Sequence, residues 1–289
     1  MAEQTKLAAP KDAPKTDEDE LAGSEAPLLD HLVELRKRLI RSLLVIFGLL
    51  IVFFFFSQTI LEVLIEPYRA AYLAVIPHGA QSVIPDDFRL IYTAPQELFF
   101  TQLNVAFFAA IFVGFPYLAI EVYGFVAPGL YKKERRAFLP YLVATPVFFF
   151  MGGLLVYFAV LPMAMRFFLS MQTQDIEMLV QVSEYLGLAM TLILAFGVCF
   201  QLPVILTLLA QIDLISSGTL KKGRKYAIVG ILVFAAFITP PDPISQIGLA
   251  LPMYLLYEIS ILSVRWIEKR RAAALAAEGA EGTDVEKSE

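Results

Sequence analysis

Two carboxylates stand inside runs of bases. Glu34 lies in His31-Leu32-Val33-Glu34-Leu35-Arg36-Lys37-Arg38, and Glu134 in Tyr131-Lys132-Lys133-Glu134-Arg135-Arg136, each beside a long apolar stretch. One account is local pairing: on a helix, residues four apart such as Glu34 and Arg38 face each other. The other is that both acids are held for a cation from outside. Paired arginines would suit, because guanidinium and carboxylate meet in a two-pronged fork.

A second group of polar residues interrupts the apolar runs themselves: Glu121, Gln201 and Glu258, with Gln102 and Asn104. Each is costly in hydrocarbon unless it faces an interior or a partner. Glu121 either snorkels to the interface or turns inward. Glu258 is either a structural residue, protonated or internally paired, or part of a path. Gln201 either closes an interhelical hydrogen bond or serves a partner.

Other chemistries lack their residues. No G-x-S-x-G elbow, H-E-x-x-H pair or P-loop occurs, and Ser, His and Asp are not set as nucleophile and base. One cysteine, Cys199, and two histidines, His31 and His78, make neither a disulfide framework nor a Cys/His metal site. Cys199 reads as an inert core thiol, His78 as a solvated loop residue, and Gly152-Gly153 as a helix-packing contact. No cofactor is expected. The net charge of -5 argues against a nucleic-acid binder.

The elements that carry these residues are membrane spans. The chain is 58% hydrophobic and 18% charged, against about 45–50% and about 25% in soluble domains. Its mean hydropathy is +0.67. Crossing the hydrocarbon core takes roughly 20 apolar residues. Six runs qualify in character: 39–65, 98–123, 138–165, 185–212, 226–239 and 244–264. The fifth, at 1.5 Å per residue, covers only about 21 Å. Either the bilayer thins beside it, or the fifth and sixth runs form a re-entrant hairpin. Pro240-Pro241-Asp242-Pro243 separates them. Prolines at 116, 140, 146, 162, 203 and 252 are expected to bend the helices and give a concave bundle.

Basic residues set the orientation. With alternate sides assigned, only Arg69, Arg89 and Arg166 of the 23 Lys and Arg fall on the outer face. The positive-inside rule then places both termini in the cytoplasm. Residues 1–27 are expected to be a disordered arm with no cleavable signal, 28–266 the membrane domain, and 267–289 a polar tail. The outer loop around 66–96, with Pro67 and Pro95, is expected to hold short interfacial helices. No internal repeat is visible, and no charged pairs between spans are evident. Both weigh against the alternative of a small-molecule secondary transporter.

Five stretches together resemble the TatC family of the twin-arginine protein translocase. They are HLVELRKRL at 31–39, FVAPGLYKKERR at 125–136, FGVCFQLPV at 196–204, TPPDPISQ at 239–246 and LPMYLLYEI at 251–259. The resemblance implies an all-α polytopic membrane protein with six transmembrane helices, both termini cytoplasmic, and short fifth and sixth helices. It implies a receptor in the cytoplasmic (inner) membrane that is not an enzyme. Such a receptor binds twin-arginine signal peptides and, with TatA/TatB-type single-span partners, moves folded proteins by the proton-motive force. Homo- or hetero-oligomers are expected. Carried onto this sequence, the signal-binding acids are Glu34 and Glu134, bordered by Arg36, Phe125 and Arg135. Pro67 and Asp242 match outer-face motif positions. Gln201, where many relatives carry Glu, and Thr239 are assigned to partner-helix contact. A neutral amide cannot titrate, so a proton relay through Gln201 is not expected.

Overall fold

Proline marks the breaks in the third and fourth apolar runs. The computed structural model describes residues 17–75, 90–126, 132–172, 179–238 and 243–286, with side chains for 31–75, 90–125, 140–172, 179–238 and 246–273. Among them the chain is helical, apart from a single parallel bridge between Ile91 and Gln181. In order, the helices are α1 (Asp17–Phe55), α2 (Ser57–Val75), α3 (Glu97–Val126), α4 (Lys132–Leu155), α5 (Leu161–Ser170), α6 (Val182–Cys199), α7 (Leu202–Gln211), α8 (Ser217–Ile238) and α9 (Pro243–Glu286).

The first apolar run does not continue to residue 65 as one span. It turns at Phe56, where Ser57 is buried and its hydroxyl donates to the Phe54 carbonyl at 2.8 Å. The run's remainder joins α2, a helix of 19 residues with Pro67 inside it, and so takes up residues 66–75 of the segment expected as outer loop. The third run passes from α4 through a π-turn at Val156–Val160 into α5, where Pro162 lies in the first turn. Proline there has no N–H for the preceding turn, and a widened turn absorbs the mismatch. The fourth run breaks at Phe200–Gln201, with Pro203 in the first turn of α7. The Pro203 ring would clash with the Cys199 carbonyl in an unbroken helix, so the break falls there.

Among the described residues, five helical stretches are long and apolar enough to cross a membrane: His31–Phe55, Glu97–Phe125, Pro140–Ser170, Val182–Gln211 and Gln246–Ala273. The sixth helix is therefore not short. α9 has 44 residues, of which the apolar part is 28. α8 has 22 residues, and its apolar portion begins only after Lys221, Lys222, Arg224 and Lys225. Lys, Arg and Leu are strong helix formers, so a helix continues past the point where its apolar run stops. The same reason accounts for the ends. α1 begins at Asp17, inside the segment expected as a disordered arm, and α9 continues to Glu286 through most of the expected tail.

α1 packs chiefly on α3, α4 on α6, α2 on α5, and α9 on both α7 and α8. Close approach of α4 and α6 depends on glycine. A Cβ on Gly152 would stand 2.7 Å from the Phe196 carbonyl oxygen, and one on Gly153 2.7 Å from the Phe112 ring. The Gly152-Gly153 pair is a packing contact, as read from the sequence. Phe115 and Phe149 stack beside it at 3.6 Å between centroids, over a core that includes Leu161, Leu186, Leu192 and Phe196. Most of α1 away from α3 is bare apolar surface, with Leu39, Leu43, Leu44 and Phe55 exposed, as a lipid-facing helix requires.

Candidate functional site

The starts of α1 and α8 and the ends of α3, α7 and α9 gather at one end of the molecule. Ion pairs and caps join α1 to α3, and α8 and the end of α7 to α9. Glu268 of α9 accepts from the backbone N–H and hydroxyl of Ser217 at the start of α8, and Arg271 pairs with Asp213. A carboxylate at a helix N-terminus satisfies N–H groups that have no partner within the helix. Of the described basic side chains, only Arg69 and Arg166 lie at the opposite end.

On α1, residues 31, 34, 38 and 41 recur at helical spacing on the face turned to α3. On α3, residues 117, 121, 124 and 125 do the same in its last turns. Arg38 bridges the two helices. Its Nε and Nη2 donate to Glu34 Oε1 at 3.0 and 2.7 Å, and its Nη1 donates to Glu121 Oε2 at 3.1 Å. Arg41 Nη1 and the Tyr117 hydroxyl both donate to Glu121 Oε1, at 3.2 and 2.7 Å. His31 stacks on Phe125 with centroids 4.2 Å apart. Gly124 makes room for the guanidinium, since a Cβ there would lie 2.9 Å from Arg38 Cζ.

Two carboxylates and two guanidiniums thus balance in charge, but not in exposure. The Glu121 side chain is 8% exposed and takes three donors, whereas that of Glu34 is 37% exposed. Only Oε1 of Glu34 is engaged among the described residues. A carboxylate away from water needs this kind of saturation. The half-open one keeps acceptor capacity for a further donor. Of the two accounts of Glu34, local pairing with Arg38 is therefore present, and it leaves one oxygen unspent. Glu121 turns inward to its partners.

The site residues named from the sequence are not all in one place. Glu34 and Phe125 lie on facing helices of this cluster, with Arg36 exposed two residues along α1, about half a turn round the helix from Glu34. Glu134 and Arg135 fall in the first turn of α4, but their side chains lie outside the described residues, as do His78, Thr239 and Asp242 altogether. Pro67 is buried in α2, at the opposite end.

Gln201 sits elsewhere, at the break between α6 and α7. It is 7% exposed, and its Nε2 donates to the carbonyls of Thr145 and Gly197 at 3.1 and 3.3 Å. Its Oε1 is buried without a hydrogen-bond partner. A groove of about 300 Å³ opens there, lined by Phe115, Leu118, Val122, Tyr141, Thr145 and Ile205 among others. These belong to α3, α4 and α7. α8 does not line this groove; it packs against α9.

Sequence reasoning missed the charged pairs between helices. Besides the Glu121 cluster, Arg224 of α8 donates to Glu258 of α9 at 2.7 Å, and Tyr254 donates to the other oxygen at 2.9 Å. The absence of such pairs therefore does not count against a transporter. Tyr four residues before Glu, present in both Tyr117–Glu121 and Tyr254–Glu258, was a local signal that could have been used.

Comparison with known proteins gives one answer. The family model for TatC, described as Sec-independent protein translocase protein, matches residues 30–252. A Sec-independent protein translocase protein TatC of Magnetococcus marinus is 45% identical over 89% of this chain and 90% of its own length. The TatC of Escherichia coli K12 is 33% identical over 83% of this chain and 88% of its own. A crystal structure of a TatC, described as a twin-arginine translocase receptor, superposes with a TM-score of 0.70 at 32% identity. It covers 82% of this chain and 98% of that one. The family is a component of a protein translocase and not a catalytic enzyme. With the family model matching about three-quarters of its length and the fold superposing on a solved relative, this chain belongs to the TatC family of Sec-independent protein translocase proteins.

Proposed function

We propose that the chain is the signal-peptide receptor of a twin-arginine translocase in the cytoplasmic (inner) membrane. The basic end faces the cytoplasm, both termini lie there, and α8 completes six crossings beside a thinned bilayer. Adjacent arginines of the signal peptide pair with Glu34 and Glu134, bordered by Arg36, Phe125 and Arg135. The observation that carries the reading is Oε2 of Glu34, unengaged among the described residues, on a half-open carboxylate at the end of a span among bases. An arginine fits it better than a lysine, whose ammonium cannot make the fork.

TatA/TatB-type single-span partners dock at the Gln201 groove, where a polar donor on an entering helix satisfies Oε1. Thr239 contacts a partner near the outer end of α8, and Pro67 and Asp242 maintain the outer face. The proton-motive force drives the step that follows, without titration at Gln201. Folded cargo crosses in a complex of several such subunits.

The test is binding of a twin-arginine peptide to the purified chain in a nanodisc, followed by crosslinking. Glu34→Ala and Glu134→Ala are each expected to cost about 1.5–3 kcal/mol, roughly ten- to a hundredfold in affinity. A twin-lysine peptide is expected to bind less well than the twin-arginine one. Unchanged affinity in both alanine variants would overturn the proposal.

A further inference from the structure

The guanidinium of Arg38 already does at Glu34 what a ligand arginine would do. Its Nε and Nη2 converge on one carboxylate oxygen, while its third donor, Nη1, reaches Glu121. Glu121 is fixed independently of Glu34, by Arg41 and by Tyr117. Losing Glu34 would thus leave Arg38 with a buried carboxylate partner rather than orphaned. Gly124, without a Cβ, keeps the space beside α3 open to the guanidinium. The pair between α8 and α9 lacks this property. Glu258 pairs with one cation, Arg224, and among the described residues no second acid pairs with that cation.

We propose that Arg38 is an internal stand-in for the ligand's arginine. In the free protein it occupies Glu34. When an arginine side chain from a ligand takes Glu34, Arg38 shifts onto Glu121, one guanidinium replacing another. A group that engages both oxygens of Glu34 must displace Arg38 from Oε1. A lysine, whose ammonium makes no two-pronged fork, competes poorly for both oxygens together. This inference rests on the reading of Glu34 as a ligand-binding acid.

The experiment measures a labelled twin-arginine peptide binding to the full chain in detergent, across wild type, Glu34→Ala, Arg38→Gln, Glu121→Gln and the Glu34→Ala/Arg38→Gln and Arg38→Gln/Glu121→Gln double variants. Removing the stand-in is expected to tighten binding by about two- to fivefold, the scale of a partly exposed ion pair. Glu34→Ala should still weaken binding in the Arg38→Gln background. Removing the charge of Glu121 is expected to do the opposite of Arg38→Gln. Arg38 then remains on Glu34 and binding weakens, and the double variant restores it. A general loosening of the cluster would move both single variants the same way, which separates structural damage from exchange. If Glu34→Ala weakens binding while Arg38→Gln leaves it unchanged or weaker, the stand-in is overturned and the receptor reading survives. If Glu34→Ala has no effect, both fall.

Discussion

Glu121 and Gln201 are equally withdrawn from the surface, at 6% and 7% exposed, yet they are served differently. The carboxylate receives three donors from two helices. The amide is satisfied on its nitrogen and left bare on its oxygen. The contrast follows from cost. An ionised group away from water is held only if nearly every lone pair is met. A neutral carbonyl oxygen without a partner costs about 1–3 kcal/mol and can be tolerated where something else is gained. The first site closes α1 onto α3. The second keeps a hydrogen-bonding vacancy at a groove between helices.

The largest effect should come from the saturated site. Glu121→Ala leaves Arg38 and Arg41 without their shared acceptor. Breaking a buried pair costs about 3–5 kcal/mol, and the exposure of Arg41 at 61% brings the expectation to about 3 kcal/mol. Unfolding by sodium dodecyl sulfate titration measures it. A loss under about 1 kcal/mol would mean that the cluster is held by packing alone.

Tyr117→Phe removes one of the three donors and keeps the ring. A loss of about 1 kcal/mol is expected by the same titration, with Glu121 still paired to both arginines. Near-equality with Glu121→Ala would show that the phenol, not the guanidiniums, anchors the acid.

The smallest effect on stability should come from Gln201→Leu. It deletes two hydrogen bonds but also the unmet carbonyl oxygen, and the change should stay within about 1 kcal/mol of zero. Association with single-span partners, followed by disulfide crosslinking or co-purification, is nevertheless expected to fall. Destabilisation comparable to Glu121→Ala, or partner association unaffected by the change, would erase the distinction between the two sites.

Much of this was legible along the chain. Apolar runs and the one-sided distribution of bases are local properties, and among the described residues they placed three of the five membrane-length helices, 97–125, 140–170 and 182–211, to within a few residues. The spacing of Glu34 and Arg38 announced their pairing, and Pro203 marked the break of the fourth run. The motif stretches pointed to the family before any fold was known. Helix ends were less legible, since α1, α8 and α9 all extend past the apolar residues on propensity alone.

What only tertiary structure decided is which polar groups meet. Arg38 and Glu121 are 83 residues apart, and Gln201 and Thr145 are 56. No periodicity carries information over such separations, because it records which face of a helix is apolar and not which helix will cover it. The sequence by itself determined that this chain is a set of membrane helices with a basic end, since hydrocarbon tests each segment separately. That Glu121 is saturated, that Gln201 opens toward α3, α4 and α7 rather than α8, and that one oxygen of Glu34 stays unengaged depended on the packing of α1 on α3 and of α4 on α6. Those contacts come from side-chain shape and from the small residues Gly124, Gly152 and Gly153, and they exist only once the helices have met.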